Sequence, residues 1–517
     1  MLIPVLSPEQ SADWDRHAID SGMALGTLMN AAGRAVAQVI AARYPARLSG
    51  GVLVAVGPGN NGGDGWVAAR VLHRLEVPVF VAASPGEPSP LNQQMADLAR
   101  GDGVRMVEID GPWPAVTLGI DALLGTGARG SLRPAVAALV QRLTELAVPL
   151  IAVDGPTGLD LATGVVHGLA LGARVSVTFG GLRRGHLLAR DESGDIVVVD
   201  VGHPAADVAW PTLMTDQVAA GMVGHFPTAA HKGSRGRVVV LGGAAGMSGA
   251  LRLAARASFA TGAGLVHAVA PAATIDPLVG AEPDLQTLRH SFELPLSSAL
   301  IELLDRADAV VIGPGLGRDA GRLAFIAAVI RQSRAVVLDA DGLYAFTGEL
   351  PLLRELAAAH QLILTPHPGE FRRLFPDLAG NLELNPWDTA SRAADLLGVT
   401  LLAKGVPSVV ATPGQAPVTV ASGNPGLATG GSGDVLSGIT GSFLAQGQSP
   451  AVAVALAAQA LGRAADLAAR RTTARGLRPM DVVAALPDVW RAWESMRLVR
   501  PAPRPPILLE LEAPQRW

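Results

Sequence analysis

The stretch Gly51-Val-Leu-Val-Ala-Val-Gly-Pro-Gly-Asn-Asn-Gly-Gly-Asp-Gly65 decides the fold. Its first half is an apolar, β-branched run bounded by glycine, the pattern of a buried strand. Its second half is a glycine turn carrying Asn60, Asn61 and Asp64, and a helix is expected beyond it. Strand, glycine turn and helix in succession describe a parallel sheet whose ligands bind at the carboxyl ends of the strands. A turn stabilised only by Asn and Gly backbone preferences is the competing reading.

The same alternation runs outward in both directions. Further strands are predicted near Val77–Ala82, Arg105–Ile109, Ile120–Leu124, Pro149–Val153, Ala173–Phe179 and Ile196–Asp200. Helices are expected from Ser7, which caps Pro8 with Gln10 three residues on, and near Leu25–Ala42. The stretch from about Pro204 to Pro227 is aperiodic and rich in Ala, Pro and Gly, which marks a junction. A second series then opens with Arg237–Leu241 and a helix near Ser248–Thr261. Its later strands fall near Leu265–Val269, Ala309–Ile312, Ala335–Leu338, Leu362–Leu364 and Thr400–Ala403. The fold class is α/β in two domains, residues 1–213 and 220–492, followed by a Pro-rich tail over 493–517 that is expected from Arg500 onward to be disordered or draped on the surface.

A chain of 517 residues exceeds one core. It is 49% hydrophobic and 17% charged, with a net charge of −4 and no basic run, so nucleic acid is not an expected partner. Absence of cysteine excludes disulfides and thiolate chemistry. Val435–Gly462 is uncharged but is broken by Gln446-Gly-Gln-Ser-Pro450, which reads as two buried helices rather than a membrane span. No signal peptide is visible, and a cytoplasmic protein is expected. Of 41 basic residues only Lys232 and Lys404 are lysine. Against such an arginine bias each retained lysine is informative, and both sit in glycine-containing turns.

Chemistry concentrates at strand ends. In the first half, Asp121 precedes the Gly125-Thr-Gly127 loop, and Asp154 precedes Thr157 and Gly158. Oxygen donors from Asn, Asp and Thr suit a hard cation rather than zinc. Each aspartate could equally cap a helix. In the second half, Asn424-Pro-Gly-Leu-Ala-Thr-Gly-Gly-Ser-Gly-Asp434-Val-Leu-Ser-Gly438 places glycines before one carboxylate. A glycine turn at a helix start offers N–H groups and positive potential to phosphate oxygens. Asp434 beside it can take a proton from a hydroxyl that receives a phosphoryl group. A plain helix cap is the competing reading. There is no Walker A sequence, so phosphate binding would rest on this loop with help from Lys404. His367, between prolines, could hydrogen-bond a ligand or merely stiffen a turn.

Residues 1–205 resemble the epimerase domain that accompanies NAD(P)H-hydrate repair enzymes. The resemblance rests on Leu28-Met-Asn-Ala-Ala-Gly33, the Asn60–Gly65 loop, Asp121–Gly127, Asp154–Gly158 and Val177-Thr-Phe-Gly180. It implies that Asn60, Asn61, Gly62, Gly63, Asp64, the loop Gly125, Thr126, Gly127, Ala128, Arg129, Gly130 and Ser131, and Asp154 touch the hydrate. It also implies that Asn61, Asp121 and Thr157 hold potassium. Thr157 stands where that family usually has serine, and Arg183 where it usually has a lysine. Arginine keeps the charge but does not readily shuttle protons.

Residues 220–490 are similar to the ADP- or ATP-dependent NAD(P)H-hydrate dehydratases, which have a ribokinase-like fold. Seven motifs occur in order: His231–Gly233, Gly242-Gly243 with Gly246–Ala250, Gly313–Gly317, Asp339–Gly342, Thr365–Glu370, Ala403–Gly405 and Asn424–Gly438. The resemblance implies that Ala250, Gly317, His367 and Asp434 contact the hydrate. Lys404, Gly405, Val406, Pro407, Ser408 and Gly433 would contact the nucleotide, ADP in bacterial members, with Mg²⁺. Family habit adds a homo-oligomer. Epimerisation of NADHX and NADPHX and dehydration of the S form are the implied activities. The alternatives are a small-molecule kinase, which would accumulate a phosphorylated product, and a non-catalytic N-terminal binding or scaffold module.

Overall fold

A computed structural model describes residues 2–498 and 506–515. Contacts divide the chain into two units. One comprises Ile3–Trp210 with Ala502–Ala513; the other contains Pro211–Pro501.

The first unit is built on eight strands in the order Ile507–Leu511, Asp195–Val199, Val175–Phe179, Leu150–Val153, Leu118–Ala122, Val52–Val56, Val79–Ala83 and Arg105–Met106. All neighbours are parallel except the first pair. Alternation within one strand shows how both faces are covered. Val52, Val54 and Val56 join one core with the helices Leu25–Arg43 and Asn60–Arg74. Leu53 and Ala55 join a second core with the helix Pro134–Glu145. Sequence order reverses between Val52–Val56 and Leu118–Ala122, so the crevice opens beyond Val56 and Ala122. Ile3–Leu6 pairs in parallel with Leu182–Arg183.

In the second unit the order is Gln286–Arg289, Leu265–Ala270, Arg237–Leu241, Ala309–Ile312, Ala335–Leu338, Gln361–Leu364, Thr400–Ala403, Ser408–Ala411, Val418–Val420 and Thr212–Leu213. Pairing is parallel as far as Thr400–Ala403, then antiparallel through Ser408–Ala411 and Val418–Val420. Order reverses between Arg237–Leu241 and Ala309–Ile312, where Gly242-Gly243 and Gly313–Gly317 follow. The uncharged stretch folds as the helices Ser432–Ala445 and Pro450–Arg471. The latter is long and apolar enough to cross a membrane by composition, yet two-thirds of its apolar window is buried within the fold.

Three expectations need correction. The tail is not draped where the structure describes it: the helix Pro479–Leu498 extends past 493, and Ile507–Leu511 adds an antiparallel edge strand to the first unit. The proline run 501–505 lies outside the described residues. The junction segment holds the strand Thr212–Leu213 and the helix Asp216–Met222, whose Thr215 cap accepts from the Val218 N–H. Arg105–Ile109 shortens to Arg105–Met106, both exposed at the sheet edge.

Candidate active sites

In the first unit the Asn60–Gly65 segment is not an open turn; the helix Asn60–Arg74 starts at Asn60 itself. Its glycines serve close packing. A Cβ on Gly62 would collide with the Gly57 carbonyl, and one on Gly65 with Ala122. Asn92 donates its amide to the carbonyls of Gly57 (2.9 Å) and Gly59 (2.6 Å), fixing the entry. Asn61 is thereby laid against Gly125, and its buried Nδ2 has no hydrogen-bond partner. Burial, with Asp154 and Asp15 nearby, raises Asp64 well above the usual carboxylate range.

Asp121, 1% exposed inside its strand, accepts from the Thr157 N–H (2.7 Å), the Thr157 hydroxyl (2.7 Å) and the Leu123 N–H (3.2 Å). Burial pushes its carboxyl up to about 6 despite those donors. The Thr157 hydroxyl also accepts from Leu124 N–H at 3.1 Å. Three oxygen-bearing side chains therefore meet around the Leu123–Gly125 segment: Asn61 from a first helical turn, Asp121 from a strand end and Thr157 from the loop after Leu150–Val153.

Asp154 adopts φ +65°, a conformation that costs a non-glycine residue about 1–3 kcal/mol and persists only where the surroundings impose it. Those surroundings are visible: its N–H donates to Val177 O at 2.8 Å, and its carbonyl meets His186 Nε2 at 2.7 Å. The Arg183 N–H donates to His186 Nδ1 (3.1 Å), so the ring proton is assigned to Nε2. Burial pushes His186 down to about 4, and it stays neutral. The Asp154 carboxylate accepts from the Thr126 N–H (2.8 Å), the Thr126 hydroxyl and the Thr178 hydroxyl (3.3 Å), and faces Arg183 Nη2 at 3.2 Å. Burial opposes its charge, but Arg183 and Thr126 outweigh burial and hold it below the usual range. Arg183 donates further to the Thr126 hydroxyl (2.9 Å) and the Gly181 carbonyl (3.0 Å). Ala128, Arg129, Gly130 and Ser131 of the same loop border a cavity of about 190 Å³, and Arg129 also pairs with Glu9.

In the second unit the helix Ser432–Ala445 begins directly after Gly431, whose φ is +101°. Gly433 and Asp434 thus occupy a helix N-terminus. Burial, then Asp339, pushes the Asp434 carboxyl up to about 7, with Lys404 acting against them. Lys404 Nζ lies 2.8 Å from Asp339 Oδ1 and 3.9 Å from Glu370 Oε2. Ser437 donates to Asp339 Oδ2 at 2.6 Å. A Cβ on Gly433 would come within 3.4 Å of both Asp339 and Lys404, which sets Gly433 directly over that pair. Only glycine fits at Gly313, where φ is +129° and a Cβ would strike the Asp339 carbonyl.

His367 caps the helix Pro368–Leu374. Its N–H donates to Glu370 Oε2 (2.8 Å), and its Nδ1 accepts from the Gly369 N–H (3.0 Å). Burial and Lys404 lower its pKa, so it too is neutral. The Gly317 N–H donates to Asp341 Oδ2 at 3.0 Å, and Ala250 lies beside Gly315. Gly405 and Val406 form an exposed lip, Pro407 beside them is buried, and the Ser408 hydroxyl closes the turn by donating to the Gly405 carbonyl at 3.1 Å. Ala250, Gly317, His367, Lys404, Gly433 and Asp434 thus converge through Asp339, Asp341 and Glu370.

Sequence reasoning placed Asp339, Asp341 and Ser437 here, and Thr178 in the first unit, inside quoted motifs but gave them no role in either site, and it missed His186. For Asp339 the signal was a carboxylate ending an all-apolar strand; for Thr178, a polar residue inside one. Among the described residues no group of three or more His, Asp or Glu could hold a metal by itself.

The family model described as NAD(P)H-hydrate dehydratase matches residues 238–488, and that described as YjeF-related protein N-terminus matches residues 25–185. The bifunctional NAD(P)H-hydrate repair enzyme Nnr of Escherichia coli is 35% identical over 91% of this chain and 91% of its own. That of Coxiella burnetii is 33% identical over 92% of this chain and 96% of its own. Among solved structures, the ADP/ATP-dependent NAD(P)H-hydrate dehydratase of Bacillus subtilis, co-crystallised with ATP and Mg²⁺, is 26% identical with a TM-score of 0.48. It covers 56% of this chain and 100% of its own.

Proposed function

The chain belongs to the bifunctional NAD(P)H-hydrate repair enzymes, and on that premise we propose how its two sites divide the work. The first unit epimerises hydrated NAD(P)H at C6; the second dehydrates the S epimer at the expense of ADP. The observation that carries this reading is Asp434, a carboxyl raised to about 7 at a helix N-terminus beside the Lys404–Asp339 pair. A base of that strength takes the proton of the C6 hydroxyl near neutral pH. The C6 oxygen then attacks the terminal phosphoryl group of ADP, and AMP leaves. The nitrogen lone pair of the ring expels phosphate from C6 to leave an iminium, and loss of the C5 proton to water forms the C5–C6 double bond and restores the dihydronicotinamide. Lys404 and the N–H groups around Gly433 hold the phosphoryl oxygens, the lip Gly405–Ser408 borders the nucleotide, and Ala250, Gly317 and His367 orient the hydrate.

Glu370, raised first by burial and then by Asp339, marks an excess of carboxylate beside one lysine and suits a divalent cation. Magnesium arriving with the nucleotide would neutralise phosphate charge there, with the phosphates supplying most of its oxygens. In the first unit, Asn61 Oδ1, Asp121 and Thr157 are the oxygen donors for potassium, while the partnerless Asn61 Nδ2 is a donor that suits an acceptor oxygen of the hydrate rather than the cation. Asp154, ionised and gripped by Thr126 and Arg183, faces the hydrate opposite Asp64. We place this enzyme in the cytoplasm, as a homo-oligomer.

The test is regeneration of dihydronicotinamide absorbance from mixed-epimer NADHX with Mg²⁺, K⁺ and either ADP or ATP. Complete recovery faster than spontaneous epimerisation is expected, with ADP as donor. Asp154→Asn should leave one epimer fast and the other at the spontaneous rate. Accumulation of a phosphorylated hydrate would instead identify a kinase.

A further inference from the structure

Two guanidinium groups, one from a loop and one from a helix, converge on one aromatic ring in the second unit. The Arg318 guanidinium lies 4.3 Å from the Tyr344 ring centre, and that of Arg373 lies 5.9 Å from it. Tyr344 ends the short helix Asp341–Tyr344, and its ring is partly open to solvent. Arg318 is anchored through Nε, which donates to Asp341 Oδ1 at 2.7 Å, while Asp341 Oδ2 accepts from the Gly317 N–H. The residue that positions Gly317 therefore also aims Arg318. Arg373 sits on the helix capped by His367, and its charge acts on His367 and Glu370. Its neighbour Arg372 is engaged by Glu383 at 3.3 Å.

Asp341 takes up Nε of Arg318, which leaves the terminal nitrogens of Arg318 and the Arg373 guanidinium as donors for a further anion. Their places beside Gly317 and His367 decide which anion. Both neighbours contact the hydrate in the function proposed above, on which this step rests, and the hydrated dinucleotide carries a pyrophosphate and, in its NADP form, a further phosphate. Guanidinium groups pre-set by an aromatic face suit phosphoryl oxygens. We propose that Arg318 and Arg373, spaced by Tyr344, clasp a phosphate group of the hydrated dinucleotide.

The experiment measures dehydration by the full-length enzyme with NADHX and NADPHX, for the wild type, Arg318→Gln, Arg373→Ala and the double variant. Loss of one charge-assisted contact at a half-exposed position should raise the hydrate KM about tenfold, with a far smaller change in kcat and none in the KM for ADP. The wild-type hydrate KM should also climb more steeply with salt than that of the double variant. A rise for both hydrates assigns the clasp to the pyrophosphate; a rise for NADPHX alone assigns it to the extra phosphate. Unchanged KM for both hydrates, or a rise in the KM for ADP instead, overturns the proposal. Calorimetric binding of NADPH and NADH to the same proteins reads the clasp without turnover. Weaker binding in the variants supports it even if the wild type fails to dehydrate, and equal binding overturns it.

Discussion

Lys404 Nζ and Asp339 Oδ1 stand 2.8 Å apart, although 65 residues separate them in the chain. Asp339 is 1% exposed, and Ser437 holds its other oxygen. Burial works against the lysine charge, but Asp339 and Glu370 outweigh burial and raise its pKa. The pair gives the second site one fixed cation amid several carboxylates, and the state of Asp434 is set against it.

Asp434→Asn should abolish dehydration, by about 10²–10⁴-fold for a lost general base, while the hydrate still binds. The wild-type rate should fall as pH drops through about 7, as Asp434 takes up its proton. Stability should move the other way. The folded value lies above the unfolded one, so the ionised carboxyl costs stability above about pH 7 and costs nothing below the unfolded value of 3.8. Asp434→Asn should therefore be more stable at pH 8, on the order of 2–4 kcal/mol, with the gain vanishing below pH 4. Thermal unfolding across pH checks both signs.

Lys404→Met should destabilise by about 3–5 kcal/mol, because it strands a buried Asp339. Adding Asp339→Asn should restore most of that loss without restoring activity, since the phosphoryl oxygens still lack their cation. Denaturant unfolding of the two single variants and the double variant completes the cycle. A double variant no more stable than Lys404→Met would sink the pairing argument.

His186 carries the acid sensitivity of the first unit. Its folded value is about 4, below the ordinary 6.5. Between those values the unfolded chain binds the extra proton and the folded chain does not, so stability falls as pH drops from 6.5 to 4. His186→Gln keeps an amide donor for the Asp154 carbonyl and should flatten that slope. Unfolding of the first unit followed from pH 7 to pH 4 is the measurement; an unchanged slope would refute the assignment.

Removing residues 506–517 should weaken the first unit selectively. The strand Ile507–Leu511 covers the edge Asp195–Val199, and Arg43 bridges Asp195 and Glu510 at 2.9 Å each. The Arg190 guanidinium donates to the Glu512 carbonyl at 2.6 Å, and the Ala513 N–H to Asp195 at 2.8 Å. Several hydrogen bonds at about 1 kcal/mol apiece give a loss on the order of 2–4 kcal/mol. Epimerisation should become heat-labile while dehydration keeps its thermal profile, both read from one assay of heated samples.

What the sequence determined by itself was local. Continuous apolar runs such as Val52–Val56 and Arg237–Leu241 could only be buried strands, because no neighbour is needed to make such a run hydrophobic. The cap at Ser7 and the break at Gln446–Pro450 were legible for the same reason. Glycine turns after those runs located both crevices. Tertiary structure alone decided the rest. Ser408–Ala411 and Ile507–Leu511 are strands because an edge lies ready for them, and the second edge belongs to residues some three hundred positions earlier. Asn60–Asp64 turned out to be helix because Gly62 and Gly65 let that helix press onto Gly57 and Ala122. The partners of Asp154 and Lys404, and the raised carboxyl of Asp434, depend on burial and on charges brought from distant strands. Neither burial nor such a meeting leaves a mark in the local order of residues.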